Sequence, residues 1–434
     1  MLSMTSFIRN ICSGSNKKDQ LLFLLDSILI NGAYIITTGT LLSGYVIYLG
    51  TSDFLTALLN NSANYTTTLS ILSFIIFERM SRRKKTLLSL NIASRLLICL
   101  AVVLPLLFHT KVLIFTILAI VIIGSNIIWG IYRVGWIVWM MDSLPKDQRS
   151  QFVYLRTFLI RFFCSIVTII AGFTIDFFNK EYIGFLIIFS LSFILSILDI
   201  VSLWKIKEPV YEVSNAGKIE YKVFLQPIRN TEFRNYLIFL FMFYLLLTMA
   251  SSFTPVYLIR YLKFDYKFIS TINVLSQITL VVTGLFWSRV ERKKGFKFVL
   301  GITAFFVAGE LLVLSFLREN TYYLLYLSTV IAGIGMGGFA ISILTYRYEI
   351  MPEGGKTVYE GWYYFASGLG MLISPFAGKA MINYLPEFTN ALYQNSKIQL
   401  LYLIAFILLC LLLFFTFGKG SKICTKLLKK CSLL

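Results

Sequence analysis

Charged side chains inside long apolar stretches are the residues of this sequence with the clearest chemical consequences. Arg133 lies about 13 Å, and Arg161 about 18 Å, along a predicted helix from its nearest polar end. An arginine at such depth in hydrocarbon costs several kcal/mol unless it faces water or an acid. The two arginines therefore predict either a hydrated cavity that attracts an anionic or zwitterionic solute, or ion pairs between helices with Asp26 or Asp199.

Carboxyl groups in apolar stretches supply a second kind of chemistry, the uptake and release of a proton. Asp26 lies about 9 Å into the first predicted helix, where it could bind a cation, exchange a proton or mark the interface. Glu310 lies about 20 Å into a later stretch, where it could carry a proton or pair with a cation for structure. Arg95, also in an apolar stretch, could likewise pair with an oppositely charged side chain for structure. Asp26 and Glu310 are the candidate coupling residues.

Uncharged polar side chains complete the candidate set. In the second apolar stretch five of them recur at spacings of three and four, which predicts one polar helix face that lines a cavity or bonds to a neighbouring helix. They are Asn60, Asn61, Asn64, Thr67 and Thr68. In the second half Asn273 and Gln277 share a face, and Trp362 either anchors a helix at the interface or stacks on a solute. The residues predicted to contact a solute are Arg133, Arg161, Asn31, Asn64, Asn273, Gln277 and Trp362.

Transmembrane helices are the elements that must hold these residues. Of 434 residues, 57% are hydrophobic and 14% are charged, whereas about a quarter of an ordinary soluble domain is charged. Roughly 20 apolar residues cross the hydrocarbon, and the uncharged stretches long enough are 27–52, 54–77, 112–132, 235–259, 268–288, 320–346 and 398–418. Apolar stretches with isolated charges are 86–108, 150–178, 182–204, 297–317 and 357–385. Since lipid forces backbone groups to bond internally, the sequence predicts an all-α integral membrane protein with twelve transmembrane helices.

Basic residues fix the predicted orientation. The formal net charge is +19, and Lys and Arg are concentrated in the two tails and in alternate loops, which places both termini in the cytoplasm. The opposite loops hold only Lys111, Lys180, Arg260, Lys263, Lys267, Arg318 and Lys397. The positive charge is therefore expected to meet anionic lipid headgroups and not nucleic acid. We expect a monomeric, multi-pass protein of the cytoplasmic membrane.

Motifs for metals, nucleotides and enzymatic nucleophiles are missing from the sequence. The six cysteines and His109 show no metal-ligand spacing, and the absence of GxxxxGK[ST] excludes ATP hydrolysis by a P-loop. The glycines of 333–338 follow no strand, so they predict close helix packing through Gly333 and Gly337 and not a dinucleotide loop. The sequence therefore predicts no cofactor and no enzymatic activity.

The chain contains two copies of a six-helix unit. The basic pattern RxxR[RK]K occurs at 79–84 and again 210 residues later at 289–294. The spacing acid-x-x-Pro-x-x-x-base occurs at 142–149 and 207 residues later at 349–356. Basic inner loops alone do not explain the second match, so duplication is the better interpretation. The predicted division is a cytoplasmic tail at 1–19, a bundle at 20–205, a cytoplasmic linker at 206–232, a bundle at 233–418 and a basic cytoplasmic tail at 419–434.

At these loops the sequence resembles the major facilitator superfamily, over essentially the whole chain. The first copy of the family loop GxxxDRxGRR keeps the basic residues Arg79, Arg82 and Arg83. The second copy keeps Gly284, Arg289, Arg292 and Lys293. At the aspartate position of this motif the first copy has Glu78 and the second copy has Ser288.

A second loop is similar to the pattern W-x-x-D-x-x-P-x-x-x-R-G found in uncharacterised bacterial members of the superfamily. It runs from Trp139 through Asp142 and Pro145 to Arg149, with Ser150 in the place of the glycine. The proline-containing fifth-helix motif of drug/proton antiporters is missing from 150–178, which disfavours multidrug efflux.

The resemblance implies two pseudo-symmetric six-helix bundles and a secondary active transporter of a small organic solute, working by alternating access with proton or ion coupling. It implies that helices 1, 4, 7 and 10, with 2, 5, 8 and 11, line the cavity. It also implies a cytoplasmic gate formed by Glu78, Arg79, Arg82, Arg83, Asp142, Arg149, Gly284, Arg289, Arg292, Lys293 and Glu349. Two alternatives stay open: a transport-like sensor or partner protein without flux, and a membrane-embedded lipid-modifying enzyme. The second is weaker because the single His lies in an outer loop.

Overall fold

The computed structural model describes residues 17–77, 80–144, 149–208, 225–352 and 356–417. Over these residues the chain is helical and has no strand. Eleven of the described helices are long and apolar enough to cross a membrane. The segment expected as the remaining crossing, 53–77, is also helical but is divided into short pieces.

The first half supplies helices α1 to α6. Their bounds are Lys17–Tyr48 for α1 with a break after Ile36, 53–77 for the divided α2, Lys84–Leu107 for α3, Lys111–Asp142 for α4, Arg149–Phe177 for α5 and Tyr182–Lys205 for α6.

The second half supplies helices α7 to α12. Their bounds are Thr231–Tyr261 for α7, Tyr266–Lys294 for α8, Phe296–Leu314 for α9, Tyr323–Ile350 for α10, Lys356–Tyr384 for α11 and Ser396–Phe417 for α12. The side chain of Asn230 accepts hydrogen bonds from the backbone of Glu232 and Phe233, which caps the start of α7. Near its end α7 changes to a π-helical turn after Pro255, where the proline cannot donate a backbone hydrogen bond.

Helix α2 is divided because its polar side chains bond to its own backbone. The pieces are Asp53–Asn60, Ser62–Tyr65, the 3-10 turn Thr66–Ser70 and Ile71–Phe77. The hydroxyls of Thr66, Thr67 and Thr68 each donate to a carbonyl three or four residues earlier, at 2.6 to 2.8 Å, which competes with a regular helix. Asn61 is buried and Asn64 is exposed, but their side chains are hydrogen-bonded to each other, so the cavity-lining or helix-bonding role of this polar face stays a prediction.

The described residues form two compact units, one from 17–52 with 59–208 and one from 53–58 with 225–417. In the first unit α1 packs on α5 and α6, α3 packs on α4 and α6, and α2 packs on α4. In the second unit α7 packs on α11 and α12, α9 packs on α10 and α12, and α8 packs on α10. Each pair of the first unit recurs six helices later, as a duplication requires. The boundaries at 205/206 and 232/233 stay predictions.

The glycines of α10 allow close packing on two sides. A Cβ atom at Gly337 would lie 3.0 Å from the backbone nitrogen of Gly284 on α8, and one at Gly335 would lie 2.7 Å from the backbone nitrogen of Val307 on α9. Any larger side chain would push the helices apart. The glycine run therefore packs helices, as the sequence predicts.

Candidate functional site

A cluster of buried charged and polar side chains lies inside the first unit. Asp26 on α1, Asp199 on α6 and Asn91 on α3 have no exposed surface, and Arg95 on α3 is 3% exposed. These side chains come from α1, α3 and α6, and α6 packs on both α1 and α3, so the cluster depends on tertiary packing and not on one helix. Buried charges are costly unless paired, which makes such a cluster unusual for structure alone.

The two carboxyl groups of the cluster face each other. Asp26 and Asp199 interact directly, and the amide nitrogen of Asn91 donates to Oδ2 of Asp199 at 2.7 Å. Trp136 lies beside Asp26, yet among the described residues neither oxygen of Asp26 receives a hydrogen bond of ordinary geometry. Buried polar groups are nearly always bonded, so the Asp26 carboxyl is an exception within the first unit.

Two arginines neutralise the carboxyl pair. The Arg95 guanidinium interacts electrostatically with the carboxyl group of Asp199. Its central carbon lies 4.2 Å from the ring centroid of Trp129. The Arg156 guanidinium acts on Asp26, and its Nε donates to Oγ of Ser27 at 2.8 Å. Arg156 also lies 4.8 Å from the ring centroid of Trp136. Stacking on aromatic rings holds both guanidinium groups in place.

The arginines singled out in the sequence lie elsewhere. Arg133 on α4 is exposed, within electrostatic range of Arg156 and Tyr34. Arg161 on α5 is half-buried beside Cys164. The arginines that interact electrostatically with Asp26 and Asp199 are Arg156 and Arg95, and the roles expected of Arg133 and Arg161 stay predictions.

The structure places the two asparagines predicted as solute contacts in the first unit, Asn31 and Asn64, in different surroundings. Asn31 donates to the carbonyl of Ser27 at 2.7 Å, which places it one helical turn from the residue that holds Arg156. Asn64 is exposed and donates to Oδ1 of Asn61 at 3.0 Å. Asn31 therefore bonds within α1 and Asn64 within α2, and their contact with a solute stays a prediction.

A second, smaller charged group lies in the second unit. Arg347 on α10 is 6% exposed, and its Nε lies 3.0 Å from Oε1 of Glu360 on α11. The guanidinium carbon lies 3.7 Å from the ring centroid of Tyr363. Sequence reasoning assigned Arg347 to the loop after α10, but the helix continues to Ile350 and encloses it.

The other candidates of the second half do not gather around this pair. Asn273 is exposed on α8, and Gln277 is half-buried one turn later. Trp362 packs against Phe365 with ring centroids 5.4 Å apart. Glu310 on α9 is half-buried near Tyr402 of α12, with no ion pair among the described residues.

The first basic loop is tied to the segment after α6. Glu78, Arg79 and Pro145 lie outside the described residues, as does the side chain of Arg149, and Arg82 is exposed. Oε1 of Glu208 accepts hydrogen bonds from the backbone nitrogens of Arg83 and Lys84, the latter at 2.7 Å. Lys84 donates in turn to the carbonyl of Ile206 at 2.7 Å. Sequence reasoning missed Glu208, because it lies 124 residues from the backbone groups it bonds and a single sequence does not show that contact.

The second basic motif, residues 289–294, lies at the end of α8, and an acid within it bonds to α10. Glu291 accepts hydrogen bonds from the hydroxyls of Ser342 and Thr345 on α10. Arg289, Arg292, Lys293 and Glu349 are exposed, as is Asp142 in the first unit. The gate role of these residues stays a prediction.

Comparison with known proteins agrees with this architecture. A family model described as Major Facilitator Superfamily matches residues 134–375 and 237–422. The chain belongs to the major facilitator superfamily. A search of curated protein sequences gave no match.

Solved structures of transporters share the superfamily fold with this chain. A mutant of the nucleoside transporter NupG aligns with a TM-score of 0.69 and 16% identity, over 91% of this chain and 98% of its own. A D-xylose-proton symporter aligns with a TM-score of 0.65 and 14% identity, over 93% and 98%. The peptide transporter POT in complex with sulfate aligns with a TM-score of 0.67 and 12% identity, over 96% and 98%. Family and fold make this chain a multi-pass membrane transporter and not an enzyme.

Proposed function

We propose that the chain is a secondary active transporter that moves a small organic solute across the cytoplasmic membrane by alternating access, with protons as the coupling ion. The observation that carries the proposal is the buried carboxyl pair of Asp26 and Asp199. Two ionised carboxylates in contact repel each other, and burial adds to the cost, so such a pair favours holding one proton. Acids inside transmembrane segments commonly serve as proton relays.

The arginines beside the pair connect the proton to a solute. Without the proton, Asp26 balances the charge of Arg156. When a proton joins the pair, Arg156 loses part of that balance and attracts an anionic group of the solute more strongly. Arg133 is exposed nearby and adds to the positive field. Proton and solute thereby favour each other's binding, and this coupling is reciprocal.

Orientation and partners of the transporter follow from its charge. Lys and Arg are concentrated in the tails and alternate loops, which supports cytoplasmic termini and contact with anionic headgroups. The proposed working unit is the monomer. The basic loops, among them Arg289 and Arg292, are proposed to form the cytoplasmic gate on the strength of the family motif.

Proteoliposomes test the coupling directly. The purified protein is reconstituted with a pH-sensitive dye inside, and a library of metabolites is screened for compounds that drive proton uptake. We expect at least one such compound for the wild type and none for Asp26→Asn, because an amide cannot take up the proton. Asp199→Asn is expected to weaken the uptake, since Asp26 keeps Arg156 as its partner.

Glu387→Gln is the matched control, because Glu387 lies on the surface of the second unit. It should transport as the wild type does. Solute-driven proton uptake that persists unchanged in Asp26→Asn would overturn the coupling role. Binding of solutes without any flux in the wild type would favour the sensor alternative.

A further inference from the structure

We propose that the second unit carries a binding subsite for the α-amino and α-carboxyl groups of an amino acid with an apolar or aromatic side chain. Arg347, Glu360 and Tyr363 form the subsite. The inference rests on the proposed function, because it names the class of solute that the transporter carries.

Unsatisfied polar atoms are the first observation behind the subsite. The Nε–Oε1 contact between Arg347 and Glu360 lacks hydrogen-bond geometry, and among the described residues Nη1 of Arg347 also has no hydrogen-bond partner. Leaving such buried groups unbonded is costly. A pair that served only to join α10 and α11 would be expected to align its atoms, since both side chains lie one turn inside their helices.

Aromatic groups hold the pair in a fixed geometry. Tyr363 stacks on the guanidinium of Arg347, and its hydroxyl lies within hydrogen-bonding reach of Tyr244. The hydroxyl of Tyr348 lies within reach of the Glu360 carboxyl. The guanidinium plane and the carboxylate are thus positioned before a ligand arrives, which lowers the entropic cost of binding. Glu360 keeps 23% of its side chain exposed, which leaves the ligand a path to the pair.

Charge balance selects the class of ligand. A simple anion at Arg347 would leave the carboxylate of Glu360 unpaired beside it, and a simple cation at Glu360 would do the same to Arg347. A zwitterion replaces both halves of the ion pair at once, its carboxylate meeting the guanidinium and its ammonium meeting Glu360. Among charged ligands, a zwitterion keeps the subsite neutral and supplies charged hydrogen-bond partners to both Arg347 and Glu360.

Equilibrium binding with three matched probes tests the inference. L-phenylalanine carries both groups, 3-phenylpropanoate lacks the ammonium and 2-phenylethylamine lacks the carboxylate. Calorimetry on the detergent-purified protein is expected to show L-phenylalanine binding at least about tenfold more tightly than either analogue, as expected for one lost charged hydrogen bond. Equal binding of 3-phenylpropanoate and L-phenylalanine, or no binding of L-phenylalanine to folded protein, overturns the subsite.

Variants separate binding from a structural role. Arg347→Gln and Glu360→Gln should each weaken L-phenylalanine binding by at least about tenfold, whereas Glu387→Gln, which breaks an exposed pair, should not. Removing both charges together with Arg347→Gln and Glu360→Gln leaves no unpaired buried charge, so the double variant should melt higher than either single variant and still lose the ligand. Retained ligand binding in the folded double variant contradicts the proposal.

This binding assay needs no proton gradient, which keeps the two proposals distinguishable. L-phenylalanine binding without proton-coupled flux would contradict the proposed function and leave the subsite in place. Proton-coupled flux of another solute, with no L-phenylalanine binding, would overturn the subsite alone.

Discussion

The two units of the chain share their helix pairs but bury different chemistry. The first encloses Asp26, Asp199, Asn91 and Arg95 between α1, α3 and α6. Among the described residues of the second, Arg347 is the one buried charged side chain. A duplicated scaffold thus tolerates several buried charged side chains in one copy and a single one in the other, because the same helix packing leaves the enclosed side chains free to differ.

Each unit contains an arginine side chain stacked on an aromatic ring, but the helix that carries the arginine differs between the units. In the first, Arg156 of α5 stacks on Trp136 of α4. In the second, Arg347 of α10 stacks on Tyr363 of α11. Arg156 and Tyr363 are 207 residues apart, the spacing of the repeat. The other partners do not correspond, since Trp136 lies 207 residues before Ile343, so the two stacks share one repeat position and not both.

The largest expected effect comes from removing a charge inside the first unit. Arg95→Ala leaves the two carboxyl groups with one arginine, and an unpaired buried charge costs about 3–5 kcal/mol. This cost is a large part of the free energy of unfolding of a typical protein, about 5–15 kcal/mol. Melting in detergent should show a steep fall in stability, with little change for the exposed Arg133→Ala.

A compensating variant checks the reason for the loss. Arg95→Met combined with Asp199→Asn removes one charge of each sign and should recover much of the stability, because neutral replacements of a buried pair are tolerated. If the double variant melts as low as Arg95→Ala, packing and not charge explains the loss. The claimed contrast between the units would then be weaker.

Gly130 and Gly337 occupy corresponding positions in the two units, and replacing each by alanine is expected to change stability less than Arg95→Ala does. A Cβ at Gly337 would lie 2.5 Å from Oγ1 of Thr283 and 2.9 Å from the carbonyl oxygen of Leu280, whereas a Cβ at Gly130 first meets Oγ of Ser70 at 3.4 Å. Gly337→Ala should therefore lower the free energy of unfolding by about 1–3 kcal/mol. Gly130→Ala should be neutral or stabilising by up to about 1 kcal/mol. Equal effects in detergent melts would remove this difference between the units.

Much of the fold follows from the sequence, because apolar length and loop charge are local properties. The division of α2 was missed, since hydroxyl groups such as those of Thr66 and Thr67 bond to the backbone in ways that hydropathy does not register. Asp26 was recognised from its depth in an apolar stretch. Its partner Asp199 lies on a helix far along the chain, and a single sequence carries no signal for that pairing.

Arg347 was misplaced for a related reason. A basic residue near the end of an apolar stretch is expected in the loop, where water solvates it. The stacked ring of Tyr363 and the carboxylate of Glu360 replace that water. These partners come from the following helix, so burial of Arg347 could be known only after α10 and α11 were brought together.

The smallest effect is expected where an ion pair of the second unit lies in water. Lys397 donates to Glu387 at 2.7 Å and holds the pKa of that carboxyl below its ordinary value. A lowered pKa adds stability above the ordinary value of about 4.3, and that stability is lost as the pH falls through the lowered value. Because the pair is exposed, Glu387→Gln should leave the melting temperature at pH 7 unchanged, whereas Glu360→Gln should lower it by leaving Arg347 buried and unpaired. Equal melting temperatures for the two variants would show that burial does not set the strength of ion pairs in this unit, and the contrast drawn with the first unit would lose its physical basis.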